Sequence, residues 1–234
     1  MELNRDLYIR LKFLSMLSAC SWKLTQKGIS ESIGISSTTA SKYVNGVFLP
    51  STKRAQKLMA ELSEICSMES LLKEALSSGP LTYPEVLNVT SKDVSLILWA
   101  SLELLAKVKD LQFEKILTVE GGGTVIGSIM ASIVDVSLVY GLRNSYVEGS
   151  YAGRVGRALG KYSSFVSIPK GALRRGERVL IVDDVMSTGK TISALKHIGE
   201  SARARVVGIG VLAVQGNSGL KKFKNENLHY LVSL

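Results

Sequence analysis

Cysteine is nearly absent from this sequence, which holds only Cys20 and Cys66 among its 234 residues. Two cysteines so far apart fit neither a metal site nor a disulfide framework, so we expect reduced thiols and a cytoplasmic protein. No apolar run is long enough to cross a membrane. Glu2, Asp6 and Arg10 also interrupt any secretory signal at the N-terminus.

Acidic residues are also scarce, since 20 Asp and Glu stand against 29 Lys and Arg, which gives a formal net charge of +9. This excess favours polyanionic partners, either nucleic acid or phosphorylated ligands, while a basic enzyme is the plainer alternative. Six of the basic residues lie between Lys23 and Lys57, where Glu31 is the only acid. The length allows one large domain or two small ones.

The most informative stretch is 179–191. Four apolar residues, 179–182, predict a buried parallel strand, and Asp183 and Asp184 follow at its C-terminal end, where α/β sheets bind ligands. The next loop presents hydroxyl groups and main-chain N–H groups at a helix N-terminus, which suit a phosphate. Its residues are Met186, Ser187, Thr188, Gly189, Lys190 and Thr191. The carboxylates suit sugar hydroxyls or a metal ion attached to the ligand, so the stretch predicts a phosphorylated sugar.

This stretch resembles the phosphoribosyl-pyrophosphate (PRPP) signature of type I phosphoribosyltransferases. A P-loop is excluded because Asp184 occupies the position of its first glycine, and the glycines of the chain lack dinucleotide-fingerprint spacing. The resemblance implies that Asp183 and Asp184 hold ribose hydroxyls while residues 186–191 surround the 5′-phosphate. It also implies PRPP or a nucleotide as ligand, with Mg²⁺ accompanying PRPP, and no metal ligand is assigned in the protein.

A second loop follows the predicted strand 115–119 and contains Glu120, Gly121, Gly122 and Gly123. Glycines let a ligand approach the backbone closely, and a predicted helix, 124–132, begins just beyond them. In the phosphoribosyltransferase resemblance this loop binds pyrophosphate. Arg143, beyond the third predicted strand, 136–140, is implied as a further ligand contact.

Strands and helices alternate through the C-terminal two thirds, which predicts an α/β domain with a mostly parallel sheet. Residues 141–161 are polar and predict a mobile loop, and the base-recognition hood is assigned to 80–90 and 216–232. Further helices are predicted at 93–108 and 193–202, and further strands at 164–168, 178–182, 206–214 and 230–234.

The N-terminal third is predicted to be all-α, with a helix at 7–17 followed by two short helices joined at Gly34. Thr25 and Ser36 are the predicted N-caps of that pair. The pattern resembles the helix-turn-helix of the lambda-repressor/Cro-like family over roughly residues 5–65. The resemblance implies contacts with double-stranded DNA, whereas a helical bundle that binds protein is the alternative. The implied DNA-binding residues are Gln26, Ser37, Thr38, Thr39, Ser41, Lys42 and Asn45.

The whole chain resembles the archaeal orotate-phosphoribosyltransferase-like transcriptional regulators. The resemblance implies a homodimer in the cytoplasm, associated with the nucleoid. The predicted domains are a helix-turn-helix domain at 1–66, a linker at 67–80 and a phosphoribosyltransferase-like ligand-binding domain at 81–234.

One segment bears on catalysis. Orotate phosphoribosyltransferases carry Arg-Lys-x-x-Lys-x-His-Gly after the third strand, and here residues 142–149 keep only Arg143 and Gly149. The missing Lys and His would stabilise the departing pyrophosphate, and Glu148 adds a negative charge. This favours a transcriptional regulator that senses PRPP or a nucleotide as an effector, with no catalytic residues. The alternative is an active purine or pyrimidine phosphoribosyltransferase with an appended helix-turn-helix.

Overall fold

A computed structural model describes residues 5–21, 23–76, 94–145, 148–157 and 163–234. Within these residues five helices come first, and a sixth leads into an α/β unit. The helices are α1 (Arg5–Cys20), α2 (Gln26–Ser32), α3 (Ser37–Val44), α4 (Thr52–Ser63), α5 (Met68–Leu76), α6 (Val94–Val108), α7 (Gly122–Val134), α8 (Lys190–Ser201) and α9 (Ser218–Lys222). The strands are β1 (Lys115–Val119), β2 (Ser137–Arg143), β3 (Ser150–Arg157), β4 (Ser163–Pro169), β5 (Arg178–Met186), β6 (Arg205–Val214) and β7 (Leu228–Ser233).

The sheet has seven strands in the order β3-β4-β2-β1-β5-β6-β7. Strands β2, β1, β5, β6 and β7 run parallel, and β4 joins β2 and β3 in antiparallel pairs. The predicted α/β fold with a mostly parallel sheet is therefore confirmed. Helix α7 packs on one face and α8 on the other, and each helps to bury an apolar cluster.

Several predicted elements of this unit were wrong in extent. Much of the supposed mobile loop at 141–161 is strand, because β2 continues to Arg143 and β3 pairs with β4 as a hairpin. Helix α7 begins at Gly122 rather than at residue 124. Helix α9 forms where a loop was predicted, and the last strand covers Leu228–Ser233. The hood segment at 80–90 lies outside the described residues.

The two short helices of the N-terminal unit form with their predicted caps. The Thr25 side chain accepts a hydrogen bond from the N–H of Gly28, and the Ser36 hydroxyl accepts one from the N–H of Thr39. Gly34, between the helices, has φ +62°, a left-handed conformation that glycine adopts without strain. Local sequence therefore defined both helix starts and the turn.

A disulfide joins Cys20 to Cys66, so the prediction of two free thiols was wrong. The bond links the end of α1 to the turn between α4 and α5 and lies inside an apolar cluster with Phe13, Leu58 and others. The spacing of 46 residues gave no sign of it, because only the packing of α1 against α4 brings the two sulfur atoms together.

We expect Cys66→Ser to lower the free energy of unfolding by about 2–4 kcal/mol, since the bond closes a long loop in the unfolded chain. Thermal unfolding of the oxidised wild type, the reduced wild type and the variant measures the effect. The reduced wild type should match the variant. Equal midpoints for all three proteins would show that the disulfide contributes nothing.

The N-terminal helices pack directly on the α/β unit through α6. One side of α6 contributes Leu96 and Trp99 to the apolar cluster of the N-terminal helices, and the other contributes residues such as Ile97 to the sheet cluster. The Tyr8 hydroxyl donates to the Leu102 carbonyl at 3.0 Å, and burial with the nearby Glu103 raises the pKa of Tyr8 to about 12.

Helix α5 extends the contact between the two units, because Leu72 and Leu76 pack with the sheet cluster. This helix occupies part of the predicted linker, and the predicted domain bounds remain a prediction. No helix within the described residues has both the length and the apolar character needed to cross a bilayer.

Candidate active site

Two loops meet at the C-terminal edge of the sheet because β1 and β5 are neighbours. Leu117 of β1 lies opposite Ile181 of β5, so the loop after Val119 and the carboxylates at the end of β5 extend from adjacent strands. The carboxyl ends of parallel strands are where α/β proteins bind ligands. The structure thus brings together the two sequence-predicted parts of the site.

The glycine loop lies almost on top of the acidic pair. A β-carbon at Gly122 would lie 2.0 Å from an Asp184 carboxylate oxygen. A β-carbon at Gly123 would lie 2.5 Å from the Thr118 hydroxyl and 2.9 Å from Asp183 Oδ1. No side chain fits at either position without displacing these groups. The predicted pyrophosphate loop and the predicted ribose carboxylates therefore form one packed unit.

Gly121 allows the chain to turn from β1 into α7. Its φ of +118° and ψ of −146° belong to a region essentially restricted to glycine. The first N–H groups of α7 have no intrahelical acceptor, and Gly121 brings no side chain to cap them. These donors suit a negatively charged ligand at the edge of the sheet.

Asp183 is buried and Asp184 is half-buried, and the pair has little positive charge around it. Asp183 is 6% exposed and accepts a hydrogen bond from the Asp184 N–H at 3.0 Å, while Asp184 accepts one from the Val185 N–H at 2.8 Å. Burial raises the pKa of Asp183 well above its usual range, and the neighbouring Asp184 raises it further. Burial also raises the pKa of Asp184. Hydroxyl donors from a ligand would favour the ionised form of both carboxyls.

The positive charge of Arg143 lowers the pKa of both aspartates without reversing the effect of burial. Its Nε is buried and has no hydrogen-bond partner within the described part of the chain. The Arg143 main-chain N–H donates to Glu120 Oε1 at 2.7 Å, which fixes Glu120 beside the end of β2. The Arg143 guanidinium therefore has at least one N–H group, at Nε, that is available to donate a hydrogen bond to a ligand.

The predicted phosphate loop forms the start of α8. Gly189 is its N-cap, with φ +69°, and it has no side chain to satisfy the first N–H groups of the helix. Ser187, Thr188 and Lys190 are exposed and Thr191 is half-buried, so this loop is open to a ligand. Met186 is different from the other predicted contacts, because its side chain is buried in the sheet cluster. Only its main chain can belong to the site.

Sequence reasoning missed three residues that shape the site. Phe223 lies across Gly189, where a β-carbon would come within 2.5 Å of its ring, and Gly219 N–H donates to the Ser187 carbonyl at 3.0 Å. Thr118 lies beneath Gly123. Phe223 and Gly219 are distant from the site in sequence, and no local pattern marks them as site residues. Thr118 was detectable as a polar residue within an apolar strand.

The predicted DNA-binding residues fall into two groups. Several hydroxyls already form hydrogen bonds with neighbouring side chains: the Ser37 hydroxyl with that of Ser30 at 3.1 Å, and the Thr39 hydroxyl with that of Ser36 at 2.9 Å. Ser41 accepts from Asn45 Nδ2 at 3.2 Å. The remaining residues are exposed and make no side-chain contact of this kind within the described residues: Gln26, Thr38 and Lys42.

Comparison with known proteins identifies the family. The pattern of the phosphoribosyl transferase domain matches residues 98–227, and the chain belongs to that family. A hypoxanthine/guanine phosphoribosyltransferase of Methanocella arvoryzae is 30% identical over 159 residues, 64% of this chain and 81% of that one. A xanthine phosphoribosyltransferase of Shouchella clausii is 33% identical over 153 residues, 61% of this chain and 76% of that one.

An adenine phosphoribosyltransferase of Saccharopolyspora erythraea is 33% identical over 156 residues, 64% of this chain and 85% of that one. The fold is also similar to that of the adenine phosphoribosyltransferase of Rhodothermus marinus. That match has a TM-score of 0.59 at 23% identity and covers 71% of this chain and 98% of that one. It shows the type I phosphoribosyltransferase fold.

These relatives correct the function favoured by the sequence. The expected non-catalytic DNA-binding regulator with an effector-sensing domain was wrong, because the matched relatives are named as purine phosphoribosyltransferases. The error came from judging residues 142–149 against the orotate enzymes. Nothing in the comparisons supports an orotate-type specificity, so the missing Lys and His carry no argument against catalysis.

Proposed function

We propose that the protein is a purine phosphoribosyltransferase, which transfers the 5-phosphoribosyl group of PRPP to a purine base and releases pyrophosphate. The observation that carries the proposal is the junction of the two loops, where Gly122 and Gly123 lie against Asp184 and Asp183. The names of the matched relatives support a purine base as acceptor.

Each part of the site has a role that follows from its chemistry. Asp183 and Asp184 accept hydrogen bonds from the ribose hydroxyls, which supply the donors that the buried pair lacks. The start of α8, with Thr188 and Thr191, binds the 5′-phosphate. The N–H groups around Gly121–Gly123 bind the pyrophosphate. The ribose is thereby held between its two charged ends with its C1 atom open to the base.

Arg143 stabilises the departing pyrophosphate, the role that the missing Lys and His have in the orotate enzymes. Negative charge accumulates on pyrophosphate as its bond to ribose breaks, and a fixed cation near that charge lowers the barrier. The charge of Arg143 acts on both aspartates, its buried Nε has no partner among the described residues, and its main-chain N–H is bound by Glu120. Its guanidinium therefore stabilises the leaving group without first breaking another hydrogen bond at that nitrogen.

Magnesium accompanies the substrate in this proposal. The pyrophosphate of PRPP offers hard oxygen ligands, which Mg²⁺ prefers. Within the described residues no group of three His, Cys, Asp or Glu side chains is arranged to hold an ion. Mg²⁺ reduces the charge of pyrophosphate, and the protein positions the complex through the glycine loop.

The N-terminal helices are an appended helix-turn-helix in this proposal, supported by the capped pair α2 and α3 and the Gly34 turn. Their packing on α6 makes them part of the same body as the transferase. The relatives compared above are named as purine phosphoribosyltransferases, so binding of double-stranded DNA is not part of the proposed function. A homodimer remains a prediction from the sequence.

The test is release of pyrophosphate from PRPP and Mg²⁺ with hypoxanthine, guanine, xanthine, adenine and orotate in separate reactions. We expect turnover with at least one purine and background release with orotate. Arg143→Gln should reduce kcat by roughly 10²- to 10³-fold, as expected for one preorganised electrostatic donor. Lys109→Gln, on the turn after α6, is the matched control and should retain activity. Turnover with orotate only would contradict the proposal.

A further inference from the structure

Thr118 lies in the middle of a buried strand, yet its hydroxyl makes no hydrogen bond within the described residues. The residue is 0% exposed, and its neighbours along β1, Leu117 and Val119, are both apolar and buried. A buried unpartnered hydroxyl costs roughly 1–3 kcal/mol on the scale of protein substitutions, and such groups are rare in folded proteins. Valine would fill the same space without that cost, so the hydroxyl calls for an explanation.

The position of the Thr118 hydroxyl explains why a polar side chain is present there. It lies 2.5 Å from the point where a Gly123 β-carbon would be, and Asp183 Oδ1 lies 2.9 Å from the same point. The hydroxyl and the carboxyl thus converge beneath one glycine of the loop. Only glycine leaves room for both.

We propose that Thr118 is a positioning residue for Asp183, an inference that rests on the proposed transferase function. Ribose hydroxyls are held best by an ionised Asp183, and a carboxylate is stabilised in that form by donors that point at it. The Thr118 O–H, next to Gly123 of the loop, is such a donor. It has no partner within the described residues, and in the PRPP complex it donates to the Asp183 carboxylate.

The surrounding charges show why an extra donor matters. Asp184, on the same strand, disfavours ionisation of Asp183, and Arg143, at the end of β2, favours it. Glu120, in the loop after β1, is engaged by the Arg143 main chain. Burial opposes ionisation most strongly. A neutral donor from β1 assists the charged form without adding a further charge to the pocket.

The test compares Thr118→Val with Thr118→Ser, and uses Ser101→Ala as the matched control. Valine keeps the shape of threonine and removes the hydroxyl, while serine restores it. Ser101, in α6, also has a buried hydroxyl without a partner among the described residues, but it belongs to neither of the two loops that form the site. Calorimetric titration with PRPP and Mg²⁺ measures binding independently of turnover, and the pH dependence of PRPP affinity reports on Asp183.

We expect Thr118→Val to weaken PRPP binding by about 10- to 100-fold, the effect of one lost hydrogen bond to a charged group. The affinity should rise with pH as Asp183 ionises, and this rise should move to higher pH in the variant. Under turnover the loss should fall mainly on KM. Thr118→Ser should recover most of the affinity, and Ser101→Ala should bind PRPP as the wild type does.

Two results would overturn the inference: wild-type affinity and pH dependence in Thr118→Val, or an equal loss in Ser101→Ala. A wild type that binds PRPP but never turns over would contradict the proposed function, while the binding comparison would still decide the role of Thr118. A wild type that does not bind PRPP would overturn both proposals.

Discussion

Replacing both aspartates, Asp183→Asn with Asp184→Asn, should greatly slow transfer from PRPP and at the same time stabilise the protein in the absence of ligand. Each carboxylate is proposed to accept a ribose hydroxyl, and hydrogen bonds to charged groups contribute about 1.5–3 kcal/mol each. The pair should therefore account for on the order of 10²- to 10⁴-fold in kcat/KM. The measurement is the rate of pyrophosphate release across a range of PRPP concentrations.

The gain in stability follows from the raised pKa of each carboxyl. The folded protein holds protons that the unfolded chain loses above the ordinary aspartate pKa of 3.8. The free energy of unfolding therefore falls as pH rises from that value through the raised pKa. Asparagine does not titrate, so the double variant lacks this fall and should be more stable at pH 7, by roughly 0.5–2 kcal/mol.

Thermal unfolding at several pH values, without ligand, measures this difference between the double variant and the wild type. The gap should narrow as the pH is lowered towards 4. A double variant that is less stable at neutral pH, or that keeps its affinity for PRPP, would show that the pair does not form the proposed ribose site.

Alanine at Gly122 or Gly123 should also abolish activity, because the added methyl group has no room. At Gly122 it would lie 2.0 Å from an Asp184 carboxylate oxygen, so either the loop or the aspartate must move. A displacement of this size at a reacting centre costs on the order of 10²-fold or more in rate. Pyrophosphate release measures the loss, and circular dichroism verifies that each variant folds.

Gly210→Ala provides the matched control. Gly210 is also buried in the sheet, but a β-carbon there would meet Leu104 at 3.4 Å, an ordinary van der Waals contact. This variant should keep near-wild-type activity. If Gly122→Ala were equally active, the close packing of the glycine loop on the acidic pair would have no functional importance.

The parts of the site that were predictable from the sequence are those whose chemistry lies within one short stretch. The apolar run before Asp183, the acidic pair and the loop before α8 follow one another directly, so their order defined a strand, an edge and a helix start. The predicted caps of α2 and α3 were likewise local. The two caps, the strand and the helix were confirmed as elements because neighbouring residues determine them, although β5 continues to Met186 and α8 begins at Lys190. The ligand contacts of these residues stay a prediction.

The features that were missed depend on distant parts of the chain. The ring of Phe223 lies over Gly189, and Cys20 meets Cys66, only after the surrounding elements have packed. Strand β3 was predicted to be part of a mobile loop, because glycine and basic residues interrupt its alternation, whereas its partner β4 was predicted as a strand. Glycine is required at position 153 of β3 by tertiary packing, since a β-carbon there would lie 2.3 Å from the Ala194 carbonyl of α8.

The wrong functional prediction had a different cause. The fold family was correct, but the absence of catalysis was argued from a loop that belongs to orotate enzymes. Arg143 was already among the predicted ligand contacts, yet its buried and unpartnered Nε was visible only in three dimensions. The electrostatic contribution expected from a Lys and a His could therefore not be located from the sequence.

The most direct test of the account is the product formed from PRPP and a purine base. The protein should be incubated with PRPP, Mg²⁺ and an equimolar mixture of hypoxanthine, guanine, xanthine and adenine, and the products separated and identified by mass spectrometry. The account predicts at least one purine nucleoside 5′-monophosphate, formed in step with pyrophosphate and formed far more slowly by Asp183→Asn/Asp184→Asn. Tight binding of PRPP with no nucleotide formed from any of these bases would contradict it.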